Sequence, residues 1–472
     1  MTMGEIFSRR RISNGFHLIG FSFWQAWWLV AMNLDVVVGA PVKEPTLLNP
    51  VFFLTAVTTL GYLFAVLLGR RIGPFSNRPV CFYCAGALAC VGSLGLSLLS
   101  ATDSSGAMAA VFIACTAAFA AGNALLLIMW GELWSTWASA RVGTCLGASY
   151  TFAFVIYFVV AALPASLGAL ITCLLPLLSL FSLHRAQGEE KRHVTSIQFE
   201  YETVSPVRMA VPLVLVGALH GLFQGVIGMG ANGREAMYLS QWVAGALLLV
   251  IVLYLLFRQP NPTVTALYKA IVPCYVTGLA LMLLLPPSDR FVGNGFTLAA
   301  VFCVDMLVML VSTDIAFRLQ KPVAVLFGGA LFCMRLGTTL GLFGVYGLST
   351  SAVSYDEGLR MVTLIGIIVI VLLGCLVFTP MDLARLYKVK PSQGTGESAA
   401  TKSRAVAEAC GLTPRETEVL GYLVTGRSAP YIAGELFIAE NTVKNHISSI
   451  YRKVGVSDRQ SLIDVILQDA GD

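Results

Sequence analysis

Charged residues are scarce in this chain: Asp, Glu, Lys and Arg make up only 12% of its 472 residues. A soluble globular domain usually carries about twice that fraction. Hydrophobic residues make up 57% of the chain, and its mean hydropathy is +0.77. The shortage of charge therefore excludes an ordinary soluble protein and predicts one that is embedded in a membrane.

The signatures of several functional classes are also missing. No Gly-rich Lys loop of the Walker type occurs, so ATP-gated switching has no support. The eleven cysteines lie mostly inside apolar runs, and Cys81 and Cys84 have no second Cys/His pair beside them. Neither a disulfide framework nor a metal site is expected. We therefore expect no catalytic residues, no metal and no cofactor, and we do not expect an enzyme.

Long apolar runs dominate the first 380 residues. About twelve runs approach the roughly 20 residues that a helix needs to cross the hydrocarbon core. These runs are 16–38, 50–68, 79–99, 107–130, 142–163, 165–183, 209–229, 238–257, 267–285, 292–317, 323–347 and 361–378. They form two sets of six, separated by a polar connection over residues 184–208. Residues 1–380 are therefore predicted to be a membrane domain.

Positive charge in the loops predicts the orientation of these spans, because loops that cross the membrane are poor in Lys and Arg. If the N-terminus is cytoplasmic, the segments before the tail place eighteen Lys and Arg residues on the cytoplasmic side and four outside. The four outside are Lys43, Arg234, Arg290 and Arg360. The bias predicts an even number of spans, with both termini in the cytoplasm of a bacterium and the spans in its inner membrane.

Two sets of six spans with a basic central connection resemble the major facilitator superfamily, over roughly residues 12–380. That family usually carries Asp-Arg-x-Gly-Arg-Arg between its second and third helices. Here the same place holds residues 70–75, Arg-Arg-Ile-Gly-Pro-Phe, in which Arg71 and Gly73 match. The resemblance implies a helical bundle whose first, fourth, seventh and tenth helices line a central cavity.

Polar side chains inside the spans are costly, so they are the best pointers to a binding site. The four spans that would line the cavity hold most of them, including Asp314, and Arg335 lies in span eleven. The candidate ligand-binding residues are Trp24, Gln25, Asn33, Asp35, Asn123, His220, Gln224, Asp305 and Arg335. The expected ligand is a small-molecule effector whose identity the sequence does not give.

Each of these positions also has a structural explanation. Asp305 and Arg335 would lie at about the same depth, so they either form a structural ion pair or face a ligand. Asp35 is close enough to the end of its span to reach water. His220 and Gln224 lie one turn apart and share a helix face, which suits a ligand and an interhelical hydrogen bond equally.

The tryptophans of the chain have two interpretations as well. Six of them lie in or near spans one and four: Trp24, Trp27, Trp28, Trp130, Trp134 and Trp137. Tryptophan is enriched at membrane–water interfaces, so an interfacial belt is the favoured interpretation. The alternative is an aromatic-lined pocket, because Trp24 and Trp28 share a helix face beside Gln25.

The composition changes past Phe378. Residues 381–403 are predicted to be a linker, and residues 404–472 have the pattern of soluble helices. Thr413 and Glu416 are spaced as a capping box. A second helix is predicted to begin near Pro430 and a third near Glu440. Apolar residues recur on one face of the third helix, and its opposite face is polar, so it can lie in the major groove of DNA.

The tail resembles LuxR-type (NarL/FixJ-like) DNA-binding domains. The residues that carry the resemblance are Leu412, Arg415, Glu416, Val419, Leu420, Gly426, Ile432, Ala433, Leu436, Thr442, Val443, Lys444, His446, Ile450, Lys453, Val456 and Arg459. The predicted DNA-binding residues are Thr442, Lys444, Asn445, His446, Ser448, Arg452 and Lys453. Charge alone predicts that Lys444, Arg452 and Lys453 neutralise phosphates.

The resemblance adds roles and departures. It implies that Lys444, Asn445 and Ser448 read bases, and that Thr442 and His446 contact the DNA backbone. It also implies that a last helix, over residues 461–467, pairs two copies on two half-sites. The chain departs from the family pattern at Ser448, where many relatives have a basic residue, and at Ala439, which replaces the usual Ser or Thr helix cap.

The expected fold is all-α: a bundle of about twelve membrane helices followed by a small four-helix cytoplasmic domain. The expected function is a membrane-integrated, one-component transcriptional regulator that senses a small molecule and binds double-stranded promoter DNA as a homodimer. Contact with RNA polymerase is left open. Two alternatives remain: a secondary transporter with a regulatory tail, coupled to protons through Asp35, His220 or Asp305, and a sensor of a partner membrane protein.

Overall fold

The chain folds into two compact units, one within residues 1–192 and 204–383 and the other within residues 193–203 and 384–472. The computed structural model describes residues 19–34, 50–99, 106–137, 139–187, 199–201, 206–228, 233–258, 264–319, 321–349, 354–374, 389–391, 403, 406–424, 429–436, 438–456, 462 and 465. Both units are built from helices, in keeping with the predicted all-α class.

The first unit contains one helix over each predicted span. These are α1 (residues 19–33), α2 (Pro50–Ile72), α3 (Pro79–Leu99), α4 (Gly106–Ser135), α5 (Ser139–Ala161), α6 (Ala165–Ala186), α7 (Pro206–Gly228), α8 (Gly233–Arg258), α9 (Val264–Leu284), α10 (Arg290–Arg318), α11 (Val323–Ser349) and α12 (Tyr355–Leu372). Within the described ranges, nine helices are long and apolar enough to cross a membrane. The chain is a multi-pass membrane protein.

Two helix bounds differ from the predicted ones for identifiable reasons. α12 begins at Tyr355, six residues before the predicted span, because Ser354 and Glu357 form a capping box that satisfies the first turn. α4 continues to Ser135, past the predicted end at residue 130, and its Glu132 accepts hydrogen bonds from the backbone N–H groups of Phe75 and Ser76 at 2.9 and 2.8 Å.

The two sets of six helices pack against one another along two seams. In the first seam, α2 meets α11: the hydroxyls of Thr59 and Thr339 lie 3.0 Å apart, and the rings of Phe52 and Phe343 lie 4.6 Å apart, edge to face. In the second seam, α5 meets α8, where Phe158 and Trp242 stack at 3.6 Å. α10 lies in the interior of the bundle, because 94% of the residues in its most apolar stretch are buried.

Glycines bring the backbones of α7 and α11 into direct contact. A Cβ at Gly221 would lie 2.1 Å from the carbonyl oxygen of Thr338, and a Cβ at Gly337 would lie 2.0 Å from that of Val214. Small residues at four-residue spacing allow such an approach between membrane helices. The contact fixes His220, which precedes Gly221, and Arg335, two residues before Gly337.

The second unit contains a short sheet and the tail helices. β1 (Phe199–Tyr201) pairs antiparallel with β2 (Val389–Pro391), with Glu200 opposite Lys390. The tail helices are α13 (Pro414–Val424), α14 (Ala429–Leu436) and α15 (Glu440–Val454). Their core includes Val419, Leu420, Ile432, Val443, Ile450 and Leu462, all fully buried. The strand pair was not predicted from the sequence, because three-residue strands leave no alternating pattern to detect.

Two glycines of α11 test the packing against α7. Gly337→Ala should lower the melting temperature of the detergent-purified protein, because the new methyl group must displace backbone, at a typical cost of about 1–3 kcal/mol. Gly329→Ala is the control, since nothing lies within 4 Å of a Cβ there. It should leave the melting temperature unchanged or raise it, because Ala favours helix over Gly. Equal melting temperatures for the two variants would contradict the close approach.

Candidate nucleic-acid interface and membrane binding site

A chain of hydrogen bonds links three helices near the middle of the bundle. The indole Nε1 of Trp24 on α1 donates to Oδ1 of Asn123 on α4 at 3.0 Å. The Asn123 Nδ2 in turn donates to the phenol oxygen of Tyr62 on α2, also at 3.0 Å. All three side chains are at most 1% exposed. The chain orients the Asn123 amide and leaves the Tyr62 hydroxyl proton available for a further partner.

Asp305 on α10 and Arg335 on α11 lie at similar depth. Asp305 lies about thirteen residues before the C-terminal end of α10, and Arg335 lies about twelve residues after the start of α11. At the rise of an α-helix these separations are roughly 20 and 18 Å. They attract one another electrostatically, but no nitrogen–oxygen contact within 4.0 Å joins them. Among the described residues, neither side chain has a hydrogen-bond partner. The direct ion pair considered from the sequence is therefore absent.

The surroundings of these two charges are aromatic and polar. The Arg335 guanidinium lies over the ring of Trp28, 4.7 Å from its centroid. The phenols of Tyr62 and Tyr150 interact electrostatically with both charges. These interactions place the carboxylate and the guanidinium between α2, α5, α10 and α11.

His220 and Tyr275 add two groups from α7 and α9. His220 interacts electrostatically with Arg335, and Tyr275 with Asp305. The Tyr275 hydroxyl is buried without a hydrogen-bond partner, and His220 has none among the residues that the structure describes. The central polar cluster is the set Tyr62, Tyr150, His220, Tyr275, Asp305 and Arg335. Its members come from six helices in both halves of the bundle.

Other predicted ligand residues have structural partners. Gln241 Nε2 on α8 donates to Asn33 Oδ1 at 2.9 Å, so Asn33 joins α1 to α8. Gln224 Nε2 lies 3.5 Å from Asn294 Oδ1 on α10. Gln25 is 2% exposed and has no hydrogen bond to any described residue. Asp35 lies outside the described residues.

The tryptophans, for which an interfacial belt was the favoured interpretation, pack among the helices. Trp24, Trp27, Trp130 and Trp134 are at most 2% exposed. Trp27 Nε1 donates to Ser93 Oγ at 2.8 Å, and Trp130 Nε1 donates to Ser179 Oγ at 3.0 Å. Because hydroxyls inside the bundle satisfy the indole N–H groups, these rings do not need the polar interface.

A separate apolar cavity of about 110 Å³ lies within the C-terminal half. It is lined almost entirely by aliphatic side chains of α7, α9, α10, α11 and α12, among them Val216, Val304, Val308 and Ile370. It contains none of the predicted ligand residues. The predicted ligand residues Asp305, Arg335 and His220 therefore lie at the central polar cluster and not along this cavity.

In the tail, α15 presents a polar face to solvent. Val443 and Ile450 are fully buried and fix the orientation of the helix. The exposed residues on the other side include Thr442, Lys444, Asn445, Ser448 and Arg452, whereas His446 is half-buried. Ala439 makes no side-chain capping bond, and Gly455 ends the helix in the left-handed region at φ 78°.

The ammonium of Lys453 is engaged within the tail. It donates to Glu416 Oε2 at 2.7 Å and to the Gly411 carbonyl at 3.2 Å. Lys444 pairs with Glu440 at 2.7 Å, but both side chains are well exposed, so that bond exchanges readily with other partners. Of the two lysines, Lys444 is the one free to reach a phosphate. The contact predicted for Lys453 remains a prediction that competes with Glu416.

The family described as "Bacterial regulatory proteins, luxR family" matches residues 411–466. These residues form a LuxR-type DNA-binding domain. A curated relative, "Probable transcriptional regulatory protein NarL" of Mycobacterium tuberculosis, is 43% identical over 75 residues in both strain CDC 1551 / Oshkosh and strain H37Rv. The match covers 16% of this chain and 35% of the length of these relatives.

Two solved structures are similar to a larger part of the chain. The crystal structure of the human organic anion transporter MFSD10 (TETRAN) has a TM-score of 0.49 and 12% identity, and the similarity covers 77% of this chain and 99% of that chain. A bacterial homologue of the iron transporter ferroportin, in its outward-facing state, has a TM-score of 0.48 and 14% identity. There the similarity covers 75% of this chain and 96% of that chain.

The LuxR-type domain contains the capping box predicted from Thr413 and Glu416. The Thr413 N–H donates to Glu416 Oε2 at 2.8 Å, and the Glu416 N–H lies 3.3 Å from Thr413 Oγ1. Glu416 is only 5% exposed, and the hydrogen bond from Lys453 is the largest reason that its pKa falls from 4.5 to about 2. A single carboxylate thus holds α13 to α15, the helix that carries the predicted DNA-binding residues.

Sequence reasoning missed the tyrosines of the central polar cluster. The candidate residues predicted from the sequence carry charged, amide, imidazole or indole groups, whereas tyrosine in a membrane span is ordinarily assigned to the interface. Tyr62 and Tyr150 lie about ten and eleven residues from the nearer ends of α2 and α5. Their depth was a detectable signal, because an interfacial tyrosine lies within the last turn or two of a span.

Glu416→Gln tests the carboxylate that joins α13 to α15. In a fragment of residues 404–472 at neutral pH, the substitution should lower the free energy of unfolding by about 1–3 kcal/mol, because Lys453 loses its charged partner. Since the folded pKa is depressed, the wild-type contribution is full above pH 4.5 and is lost as the pH falls towards 2. Glu418→Gln, in the exposed Arg415 pair, is the control. Chemical denaturation measures both; equal stabilities would contradict the assignment.

Proposed function

We propose that the protein is a membrane-integrated, one-component transcriptional regulator. A small molecule binds at the central polar cluster and changes how the LuxR-type domain is presented to promoter DNA. The observation that carries the proposal is the presence, in one chain, of a LuxR-type domain and of a membrane bundle in which the buried Asp305 and the half-buried Arg335 form no ion pair with any described residue. No separate sensor protein is needed in this scheme.

The energetics of the cluster favour a ligand. A charge inside a membrane bundle is costly and is usually paired or bound to a substrate. Asp305 and Arg335 attract one another without a contact within 4.0 Å, so each retains unused hydrogen-bonding capacity. A ligand that supplies the missing bonds gains the interaction without first breaking a protein–protein bond.

The strand pair β1–β2 provides a route to the DNA-binding unit. β1 lies in the connection between α6 and α7, and β2 lies between α12 and the LuxR-type domain, yet both belong to the second unit. The second unit is thus joined by the chain to the ends of both halves of the bundle. These two chain segments are the connection through which we propose that a change in the halves reaches the DNA-binding unit.

Ligand binding shifts an equilibrium only by its difference in affinity for two states. A hundredfold preference for one state corresponds to about 2.7 kcal/mol. Two DNA-binding units held close together by dimerisation would also raise their effective concentration at paired half-sites. We therefore propose a homodimer on DNA.

We also propose a bacterial inner-membrane location with both termini in the cytoplasm. The loop charges support this orientation, with eighteen Lys and Arg residues before the tail on the cytoplasmic side against four outside. Contact with RNA polymerase stays open.

A secondary carrier with a regulatory tail is the second candidate. The buried Asp305 and the half-buried His220 are groups that proton-coupled carriers use. Saturable accumulation of a solute in proteoliposomes would favour the carrier over the regulator. A stable partner membrane protein recovered with the chain would favour the third alternative, a sensor of that partner.

Lys444 tests the DNA-binding face. Lys444→Ala should abolish regulated transcription from a reporter, because the substitution removes an exposed cation at a position that faces DNA in LuxR-type domains. Glu408→Ala, at an exposed position of the same domain, is the control and should regulate normally. Membrane fractionation checks that both variants insert. Normal regulation by Lys444→Ala would contradict the placement of the DNA-binding helix.

The strand pair supplies a second test. Replacement of residues 199–201 with Gly-Pro-Gly should remove the pairing with β2, because Pro lacks the N–H donor and Gly disfavours strands. Operator binding in vitro should persist, while the response of the reporter to an inducing compound should be lost. Glu200→Gln, which keeps the backbone donors, should respond as the wild type does. A full response by the Gly-Pro-Gly variant would exclude the strand pair as the route of coupling.

A further inference from the structure

The membrane site has a charge pattern that selects its ligand. Asp305 offers an anion, Arg335 offers a cation, and neither is neutralised by direct contact. A purely anionic ligand would use Arg335 and leave Asp305 facing a like charge. A purely cationic ligand would use Asp305 and leave Arg335 facing a like charge. The site as a whole is electrically balanced, so the best-matched ligand is balanced too.

The aromatic rings around the charges limit the shape of the ligand. Trp28 covers one face of the Arg335 guanidinium at 4.7 Å. The edge of the guanidinium therefore remains for a planar carboxylate, which it binds with two parallel hydrogen bonds. Tyr62 and Tyr150 are fully buried and close enough to interact with both charges. Rings in these positions suit an aromatic or other flat apolar body.

We propose that the central polar cluster binds an aromatic zwitterion, whose carboxylate pairs with Arg335 and whose ammonium pairs with Asp305. This inference rests on the proposed function, because it names the class of effector that the regulator senses. The ligand bridges two helices: Asp305 belongs to α10, and Arg335 belongs to α11, which also forms the seam with α2. Bridging these helices ties ligand binding to the contact between the two halves.

A structural interpretation of the two charges makes a different prediction. If the two charges only stabilise the bundle by long-range attraction, removal of one charge should lower the stability of the ligand-free protein. It should not change which ligands bind. If the charges bind a ligand, removal of one charge should change which ligands bind. The experiment therefore measures selectivity together with the stability of the ligand-free protein.

The test uses the full-length protein in nanodiscs and two triplets of probes. One triplet is L-phenylalanine, 2-phenylethylamine and 3-phenylpropionate; the other is 4-(aminomethyl)benzoate, benzylamine and benzoate. Each triplet compares a zwitterion with its amine alone and its acid alone, and the two zwitterions differ in charge separation. In at least one triplet, the zwitterion should bind at least tenfold more tightly than either singly charged probe. Binding is measured by equilibrium dialysis without DNA.

The variants assign the two contacts. Asp305→Asn should reduce zwitterion affinity at least tenfold and leave the affinity for the acid alone unchanged or higher, because the variant lacks the like charge that faces an anionic ligand. Arg335→Gln should also reduce the affinity for the zwitterion at least tenfold, and it should not reduce the affinity for the amine alone. Asp356→Asn and Arg360→Gln, at exposed positions of α12, are the controls and should bind every probe as the wild type does. The melting temperature of each ligand-free variant shows whether it remains folded.

The proposal is overturned if neither zwitterion binds, or if a singly charged probe binds as tightly as its zwitterion in both triplets. It is also overturned if the control variants lose affinity as much as Asp305→Asn does. The proposed function has its own readout. If zwitterions bind without changing operator affinity, sensing fails and the ligand class stands. If an uncharged inducer changes operator affinity while zwitterions do not bind, the ligand class fails and sensing stands.

Discussion

The separation of Asp305 from Arg335 is the constraint on which this account depends. Two opposite charges at one depth of an apolar bundle would gain most by direct contact, yet α10 and α11 hold them apart. The glycine contact between α7 and α11 fixes the helix that carries Arg335, and Trp28 covers the guanidinium from α1. The fold therefore maintains an arrangement that the charges alone would not choose, which is typical of a binding site.

The same helices connect the site to the rest of the molecule. α11 forms a seam with α2 through Thr59 and Thr339, and the connection between the two halves contributes β1 to the DNA-binding unit. In the proposed scheme, an occupant of the cluster would act on the contact between the halves, and the two chain segments that join the halves to the second unit would transmit the change. Within that unit, Glu416 and Lys453 hold the DNA-binding helix in place.

The sequence predicts the helices well because the bilayer imposes one length on every span. It predicts the LuxR-type tail because the Thr413–Glu416 capping box and the apolar face of α15 are local patterns. The start of α12 was misplaced although Ser354 and Glu357 carry the same capping signal. The burial of Trp27 and Trp130 was missed because hydropathy does not distinguish a lipid-facing ring from one that packs on a neighbouring helix.

The candidate site was predicted only in part, for a geometric reason. Counting residues from a helix end gives the depth of a side chain, which placed Asp305 and Arg335 at one level. It does not give the direction around the helix axis, so their separation could not be derived. The same limit explains why Asn33 and Gln224 were grouped with the ligand residues, although the structure pairs them with Gln241 and Asn294.

Operator affinity of the full-length protein in nanodiscs tests the central claim most directly. The measurement compares wild type and Asp305→Asn, with and without a compound that induces the regulated genes in cells. The account predicts that the compound changes the affinity of the wild type at least tenfold and leaves the variant within twofold. An unchanged wild-type affinity with every compound that induces in cells would contradict it.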